Sequence, residues 1–192
     1  SESEVDVSGP GPRDLTLTAP WEQVAEALTQ RQPEGVLREV AEFRFSSTRV
    51  PITQAYADLA RTCFTPGRPL AQAFADFCAR IKADFIYDAS ATDMDTPVDQ
   101  VLKDRRGVCQ DFAHLALAAL RSLGLAARYV SGYLETDPPP GQPRLVGSDA
   151  SHAWVQIHEP TLGWIDGDPT NGILTADRHI VVAWGRDIDD VT

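Results

Sequence analysis

The chain has 192 residues and is 43% hydrophobic, enough to bury a sizeable core in one domain or in one domain with an extension. Its 17 Lys and Arg face 28 Asp and Glu, and the formal charge of −11 disfavours nucleic acid and anionic membranes as partners. Its three cysteines lack CxxC spacing, so neither a disulfide framework nor a zinc ribbon is indicated.

Residues 1–17 are polar and rich in Gly and Pro, which predicts a flexible or extended lead-in to a single domain over residues 18–192. This segment lacks the basic and apolar regions of a signal peptide, and no run of about 18 apolar residues follows it. We therefore expect a soluble, cytoplasmic protein with reduced thiols.

The N-terminal half is predicted to be helical. Thr18 is a candidate cap for "PWEQVAEALTQ", and a second amphipathic helix, "VPITQAYADLARTCF", follows the "FSSTR" loop. In "PLAQAFADFCARIKADF" the apolar residues recur every three or four positions, which predicts a helix with Cys78 on its buried face.

The stretch "TPVDQVLKDRRG" predicts a short helix with Thr96 as N-cap, Pro97 at its first position and Gly107 as a left-handed C-cap. A second helix starts beside Cys109 and is closed by Gly124. Because this second helix is apolar nearly all round, we expect it to be the central helix.

The C-terminal half is predicted to form a sheet. "AARYVSGYLET" reads as a strand, and the Pro- and Gly-rich loop "DPPPGQPRLVGSD" is expected to be exposed and mobile, at the rim of a cleft. "SHAWVQIHE" and "GWIDGDP" are joined by "PTLG" as an antiparallel hairpin, and "HIVVAWG" adds a strand. The order of elements predicts an α+β domain whose sheet packs on the central helix.

Alternation along the hairpin places a histidine and carboxylates on one face. His152 and Trp154 share a face, and the returning strand must add Asp166 and Asp168 to it if Ile165 is to face the core. With residue 158 opposite 164, Asp168 lies diagonal to His152, whereas a slip of two residues puts it directly opposite. Both registers remain open.

A cysteine, a histidine and a carboxylate on separate elements form the set that a thiol nucleophile requires. The unpaired N–H groups and the positive dipole end at a helix start stabilise a thiolate at Cys109, and its backbone N–H could stabilise an oxyanion. The alternative is that Cys109 packs beneath the helix and that His152 forms a hydrogen bond in the core. Spacing alone does not decide between them.

Three blocks, "GVCQDFAHLALAALRSLGLAARYVSGYL", "SHAWVQIH" and "GWIDGDPTNG", resemble the signature blocks of the bacterial transglutaminase-like superfamily, distant relatives of papain-like cysteine proteases. The resemblance implies a transglutaminase/papain-like core with Cys109 as nucleophile, His152 as general base and Asp168 as the orienting carboxylate. Asp166 is a weaker competitor for the last role. The calcium-binding regions of animal transglutaminases have no counterpart, so no calcium or other cofactor is expected.

Further residues around the expected site have two interpretations each. Gln110 and Tyr87 are candidates for the second oxyanion donor or are packing residues, and Trp154 and Trp164 are candidate substrate walls or core residues. Asp111 lies in the first helical turn, where capping is favoured over catalysis.

No metal site is expected from the sequence. His114 lies about 140° round the helix from Cys109, too far for both to bind one metal. His158 and His179 show no partner pattern.

The resemblance implies a cysteine hydrolase or acyltransferase that acts at amide bonds of peptide-like substrates through a thioester. Water would release an acid and an amine would complete transamidation. We favour hydrolysis because no dedicated amine pocket is visible. The alternative is a non-catalytic domain that binds a peptide or protein partner in the same cleft, since a fold does not guarantee chemistry. Neither the substrate nor the oligomeric state follows from the sequence.

Overall fold

The computed structural model describes residues 5–7, 11, 14–29, 39–135, 140–141, 143, 146, 151–175 and 177–191. The α-helices with described bounds are α1 (Trp21–Thr29), α2 (Gln54–Arg61), α3 (Leu70–Asp84), α4 (Val98–Asp104) and α5 (Cys109–Ser122). The strands are β1 (Ile86–Tyr87), β2 (Arg106–Gly107), β3 (Ala127–Leu134), β4 (Ser151–Glu159), β5 (Gly163–Asp168), β6 (Ile173–Leu174) and β7 (His179–Gly185). The predicted α+β class is confirmed.

The main sheet is antiparallel and has the strand order β6-β5-β4-β3-β7. The predicted hairpin forms β4 and β5, and His158 lies opposite Trp164, which selects the first of the two registers considered. A second, two-stranded parallel sheet pairs Tyr87 with Gly107. Strands of two residues, such as β1, β2 and β6, are too short to leave an alternation pattern in the sequence.

Helix α5 lies at the centre of the molecule, as predicted. Every residue from Asp111 to Arg121 is buried, and the helix packs on β3 and β4. The inward side of β4, formed by Ala153, Val155 and Ile157, belongs to the same apolar core. Cys78 is fully buried in this core, also as predicted.

Two predicted helix caps are wrong. Thr18 does not cap α1, because that helix starts only at Trp21; instead the Thr18 hydroxyl accepts the backbone N–H of Ala71 in the first turn of α3. The Thr96 hydroxyl is bonded to Asp93, and Pro97 occupies the N-cap position of α4. In both cases the threonine hydroxyl forms its hydrogen bond with a residue of another helix or of a loop, and not with the first turn of the helix that follows it in sequence.

The predicted role of Gly107 as a C-cap is also wrong. Arg105 takes the left-handed conformation at the end of α4, with φ of 56°, and Gly107 belongs to β2. Gly107 is required for another reason: a Cβ there would lie 2.7 Å from the carboxylate of Asp111.

Two predictions fall largely outside the described residues. Of the lead-in, residues 5–7, 11 and 14–17 are described, and Leu15–Leu17 forms a 3-10 turn. Of the loop over residues 137–149, only 140, 141, 143 and 146 are described. Among the described helices, none combines the length and the apolar character needed to cross a bilayer.

Candidate functional site

The start of α5 presents Cys109. Val108 is extended and the helix begins at Cys109, whose side chain is partly buried. Asp111 closes this end, since its Oδ2 accepts the Val108 N–H at 2.8 Å and the Thr92 hydroxyl at 2.6 Å. Asp111 therefore has the capping role predicted for it, and the thiol lies where a helix leaves its first N–H groups unpaired.

The β4–β5 hairpin brings His152 and Asp168 into contact. His152 donates through Nε2 to Asp168 Oδ2 at 2.9 Å, and both side chains are completely buried. The contact is diagonal, as the observed register requires. Asp166, the competitor considered from the sequence, instead accepts the Trp154 indole N–H and the Gln156 amide, each at 2.8 Å.

The Asp168 carboxylate accepts five hydrogen bonds from residues that the structure describes. Oδ1 receives the backbone N–H groups of Thr170 at 2.9 Å and Asn171 at 3.1 Å. Oδ2 receives His152 at 2.9 Å, His179 at 3.0 Å and the Asn171 amide at 2.7 Å. Burial opposes ionisation, but these bonds hold the pKa of Asp168 well below its usual range. Asp168 is therefore a buried anion that only accepts.

The imidazole of His152 is polarised by this anion. Burial alone would lower its pKa, but the hydrogen bond with Asp168 and the charges of Asp168 and Cys109 raise it to about 9. Because Asp168 accepts at Nε2, the neutral ring carries its lone pair on Nδ1. Nδ1 is buried without a hydrogen-bond partner among the described residues. The ring atom able to take a proton thus has no partner among the described residues. The structure joins His152 to Asp168, but it shows no hydrogen bond between Cys109 and this ring.

The two candidate oxyanion donors lie in different surroundings. Tyr87 is held beside the start of α5 by its pairing with Gly107, and burial together with the charge of Cys109 raises the pKa of its phenol. Gln110 is partly buried and its amide donates to the Met94 carbonyl at 3.4 Å. The electrostatic influence of Cys109 thus reaches the Tyr87 phenol, whereas the Gln110 amide is bonded to a backbone carbonyl.

The two tryptophans differ in burial. Trp154 is completely buried, with its ring stacked beside His152 at a centroid distance of 6.1 Å, so it presents no surface to a substrate in this conformation. Trp164 pairs with His158, six residues along β4 from His152, and packs against Arg128 and Phe43. The burial of Trp154 fits the core interpretation, whereas Trp164 is partly exposed and lines a cavity together with Asp166 and His179.

His179 was missed by the sequence interpretation, which assigned it no partner. It donates through Nε2 to Asp168 Oδ2 and its side chain is 2% exposed. His152, Asp168 and His179 have potential metal-binding atoms within 4.8 Å of one another, a donor set suited to a divalent transition metal. A metal would have to replace the two hydrogen bonds, because both Nε2 atoms already bond to the same oxygen.

The chain matches a known family over much of its length. Residues 54–169 match the family model described as the Transglutaminase-like superfamily. The whole chain aligns at 45% identity over 199 residues with an uncharacterised protein of Mycobacterium tuberculosis strain H37Rv and covers 61% of that protein. The chain thus spans about three fifths of the length of these mycobacterial relatives.

Two further comparisons cover less or share less sequence. The chain is 37% identical over 81 residues to the protein-glutamine gamma-glutamyltransferase of Pseudomonas aeruginosa, a match that covers 42% of this chain and 12% of that protein. The crystal structure of a candidate cysteine protease from Cytophaga hutchinsonii superposes with a TM-score of 0.64 at 24% identity, covering 90% of this chain and 55% of that chain. The second likeness concerns the fold alone.

Proposed function

The chain belongs to the transglutaminase-like superfamily, and we propose that it is a cysteine hydrolase or acyltransferase that opens an amide bond of a peptide-like substrate through a thioester on Cys109. One observation carries this proposal: His152 is bound through Nε2 to an ionised, buried Asp168, while its Nδ1 has no hydrogen-bond partner among the described residues. That arrangement suits a general base whose ring is fixed in one tautomer.

The proposed reaction has two halves. His152 takes the thiol proton of Cys109 on Nδ1 and keeps it at neutral pH, because its pKa is raised to about 9, and the thiolate attacks the amide carbonyl. The C–N bond then breaks, the leaving amine receives the proton from Nδ1, and the acyl group stays on sulfur as a thioester. The Cys109 backbone N–H and the Tyr87 phenol would stabilise the oxyanion in both halves.

The acceptor of the acyl group decides between two activities. Water, deprotonated by His152, releases a carboxylic acid and regenerates the thiol, whereas a primary amine forms a new amide. We favour water, the acceptor expected from the sequence. The Pseudomonas relative carries the name of a glutamyltransferase, so the amine is tested alongside water.

Alkylation by iodoacetamide tests the activation of Cys109. Cys63 and Cys78 are buried and Cys109 is partly exposed, so mass spectrometry can assign the labelled thiol. We expect His152→Ala to slow alkylation at pH 7 at least about tenfold, since the base is removed. His158→Ala is the matched control: His158 is also a buried histidine of β4, but it packs on Trp164. Equal rates in wild type and His152→Ala would refute activation by His152.

A screen of peptides and acyl esters tests the chemistry itself. Wild type and Cys109→Ala are compared with and without a primary amine, and the intact protein is weighed for an acyl adduct. We expect an adduct and turnover in wild type alone. Ligand binding that is equal in both proteins, without adduct or turnover, would instead identify a non-catalytic peptide-binding domain.

A further inference from the structure

His179 reaches the Asp168 carboxylate from a distant strand of the sheet. It starts β7, which pairs with β3, and two strands separate β7 from the β5 strand that carries Asp168. Its ring lies nearly perpendicular to the Trp154 ring, at a centroid distance of 5.1 Å. Trp154 in turn covers Gly132, where a Cβ would approach its ring to 2.5 Å. A buried tryptophan over a glycine thus fixes the position of the His179 ring.

The hydrogen bond of His179 falls on the same oxygen as that of His152. Oδ2 of Asp168 lies 2.9 Å from His152 Nε2 and 3.0 Å from His179 Nε2. Since the carboxylate only accepts, both rings donate to it. The second donor holds Oδ2 between the two rings and resists rotation of the carboxylate away from His152.

Packing alone does not account for His179. Its Nδ1 is buried without a partner among the described residues. An unpaired buried polar atom is unfavourable, and an apolar side chain of similar size would fill the space without one. What an apolar side chain could not supply is the hydrogen bond to Asp168.

We propose that His179 is a positioning residue that holds the Asp168 carboxylate in register with His152. The proposal rests on the proposed function, because it concerns the same base. His179 is placed to act on the base through Asp168, the carboxylate that both rings share. The positioning role requires a hydrogen-bond donor at the place of His179 Nε2.

Two substitutions at His179 distinguish the loss of its hydrogen-bond donor from a change in side-chain volume. His179→Phe keeps a ring and removes the donor, while His179→Gln places an amide N–H near the former Nε2. We expect the Phe variant to alkylate Cys109 about tenfold more slowly at pH 7 and the Gln variant to stay within about twofold of wild type. His158→Gln, at a buried histidine that packs on Trp164 instead, should match wild type. Thermal unfolding checks that each variant is folded, and His179→Leu replaces Phe if the larger ring does not fit.

Proton NMR of the His152 Nε2–H adds a readout that does not depend on activity. We expect this signal to shift in His179→Phe and to keep its position in His179→Gln. A folded Phe or Leu variant with the wild-type signal and alkylation rate would overturn the positioning role. Equal losses of the Cys109 alkylation rate in the Phe and Gln variants would also overturn it. If instead wild type shows no His152-dependent alkylation, the proposed function fails, and the NMR comparison alone decides whether His179 positions the pair.

Discussion

Gly107 lets the carboxylate of Asp111 close over the start of α5. An added Cβ would lie 2.7 Å from Asp111 Oδ2, the atom that accepts the Val108 N–H. We expect Gly107→Ala to displace this cap and lower the free energy of unfolding by about 1–2 kcal/mol. Because the cap precedes Cys109 directly, alkylation of the thiol should slow as well. Urea unfolding and the alkylation rate measure the two effects.

The same substitution in an Asp111→Gly background is the control. The three atoms nearest to the added Cβ all belong to the Asp111 side chain and include its Cβ at 2.9 Å, so the whole side chain has to be removed. Gly107→Ala should then change the free energy of unfolding by less than about 0.5 kcal/mol. If Gly107→Ala lowers the free energy of unfolding equally in both backgrounds, the glycine is required by the backbone of β2 rather than by the Asp111 cap.

Tyr87 is the residue beside Cys109 whose removal should affect acyl transfer without affecting the base. Burial and the charge of Cys109 raise the pKa of its phenol, so it keeps its proton at neutral pH and can donate. We expect Tyr87→Phe to slow acylation of Cys109 by an activated ester about tenfold, with iodoacetamide alkylation unchanged, because alkylation forms no oxyanion. Gln110→Ala is the comparison. A larger loss in Gln110→Ala than in Tyr87→Phe would exchange their roles.

At the scale of elements, the start of α3 depends on a residue far away in sequence. Thr18 Oγ1 accepts the Ala71 N–H at 3.1 Å and itself donates to the Leu15 carbonyl. We expect Thr18→Val to lower the free energy of unfolding by about 1 kcal/mol, the usual effect of losing a helix cap. Thr29→Val removes an exposed hydroxyl that binds within its own helical turn and should have little effect. Chemical denaturation compares the two, and equal losses would contradict the capping role.

Local patterns in the sequence predicted the pairings that are local in the fold. Strand alternation placed His152 and Asp168 on one face because both belong to one hairpin, and the apolar stripe of α3 placed Cys78 in the core. The contact of His179 depends on the strand order, which no local pattern encodes. The predicted cap by Thr18 was wrong for the same reason, because its hydroxyl accepts a backbone N–H of α3, a helix distant in sequence.

For the whole molecule, two buried histidines give the stability opposite dependences on pH. The pKa of His152 is raised to about 9 against 6.5 for the free side chain, so the folded state holds this proton more tightly. The contribution of His152 to the free energy of unfolding is fully present below about pH 6.5 and is lost as the pH rises through 9. Burial lowers the pKa of His114 to about 4. Its contribution is present above about pH 6.5 and is lost as the pH falls through 4.

Substitution of each histidine by glutamine tests the two pH dependences of stability. Glutamine at position 152 keeps a donor to Asp168, and glutamine at position 114 keeps an acceptor for the Ile188 N–H. We expect the difference in free energy of unfolding between wild type and His152→Gln to shrink by about 3 kcal/mol from pH 6 to pH 9.5. The difference for His114→Gln should shrink towards pH 4 instead. Urea unfolding at each pH measures both. The net charge of −11 makes every variant sensitive to pH, but that effect cancels in each difference. A difference for His152→Gln that stays constant across this range would refute the raised pKa and, with it, the ionised partner at Asp168.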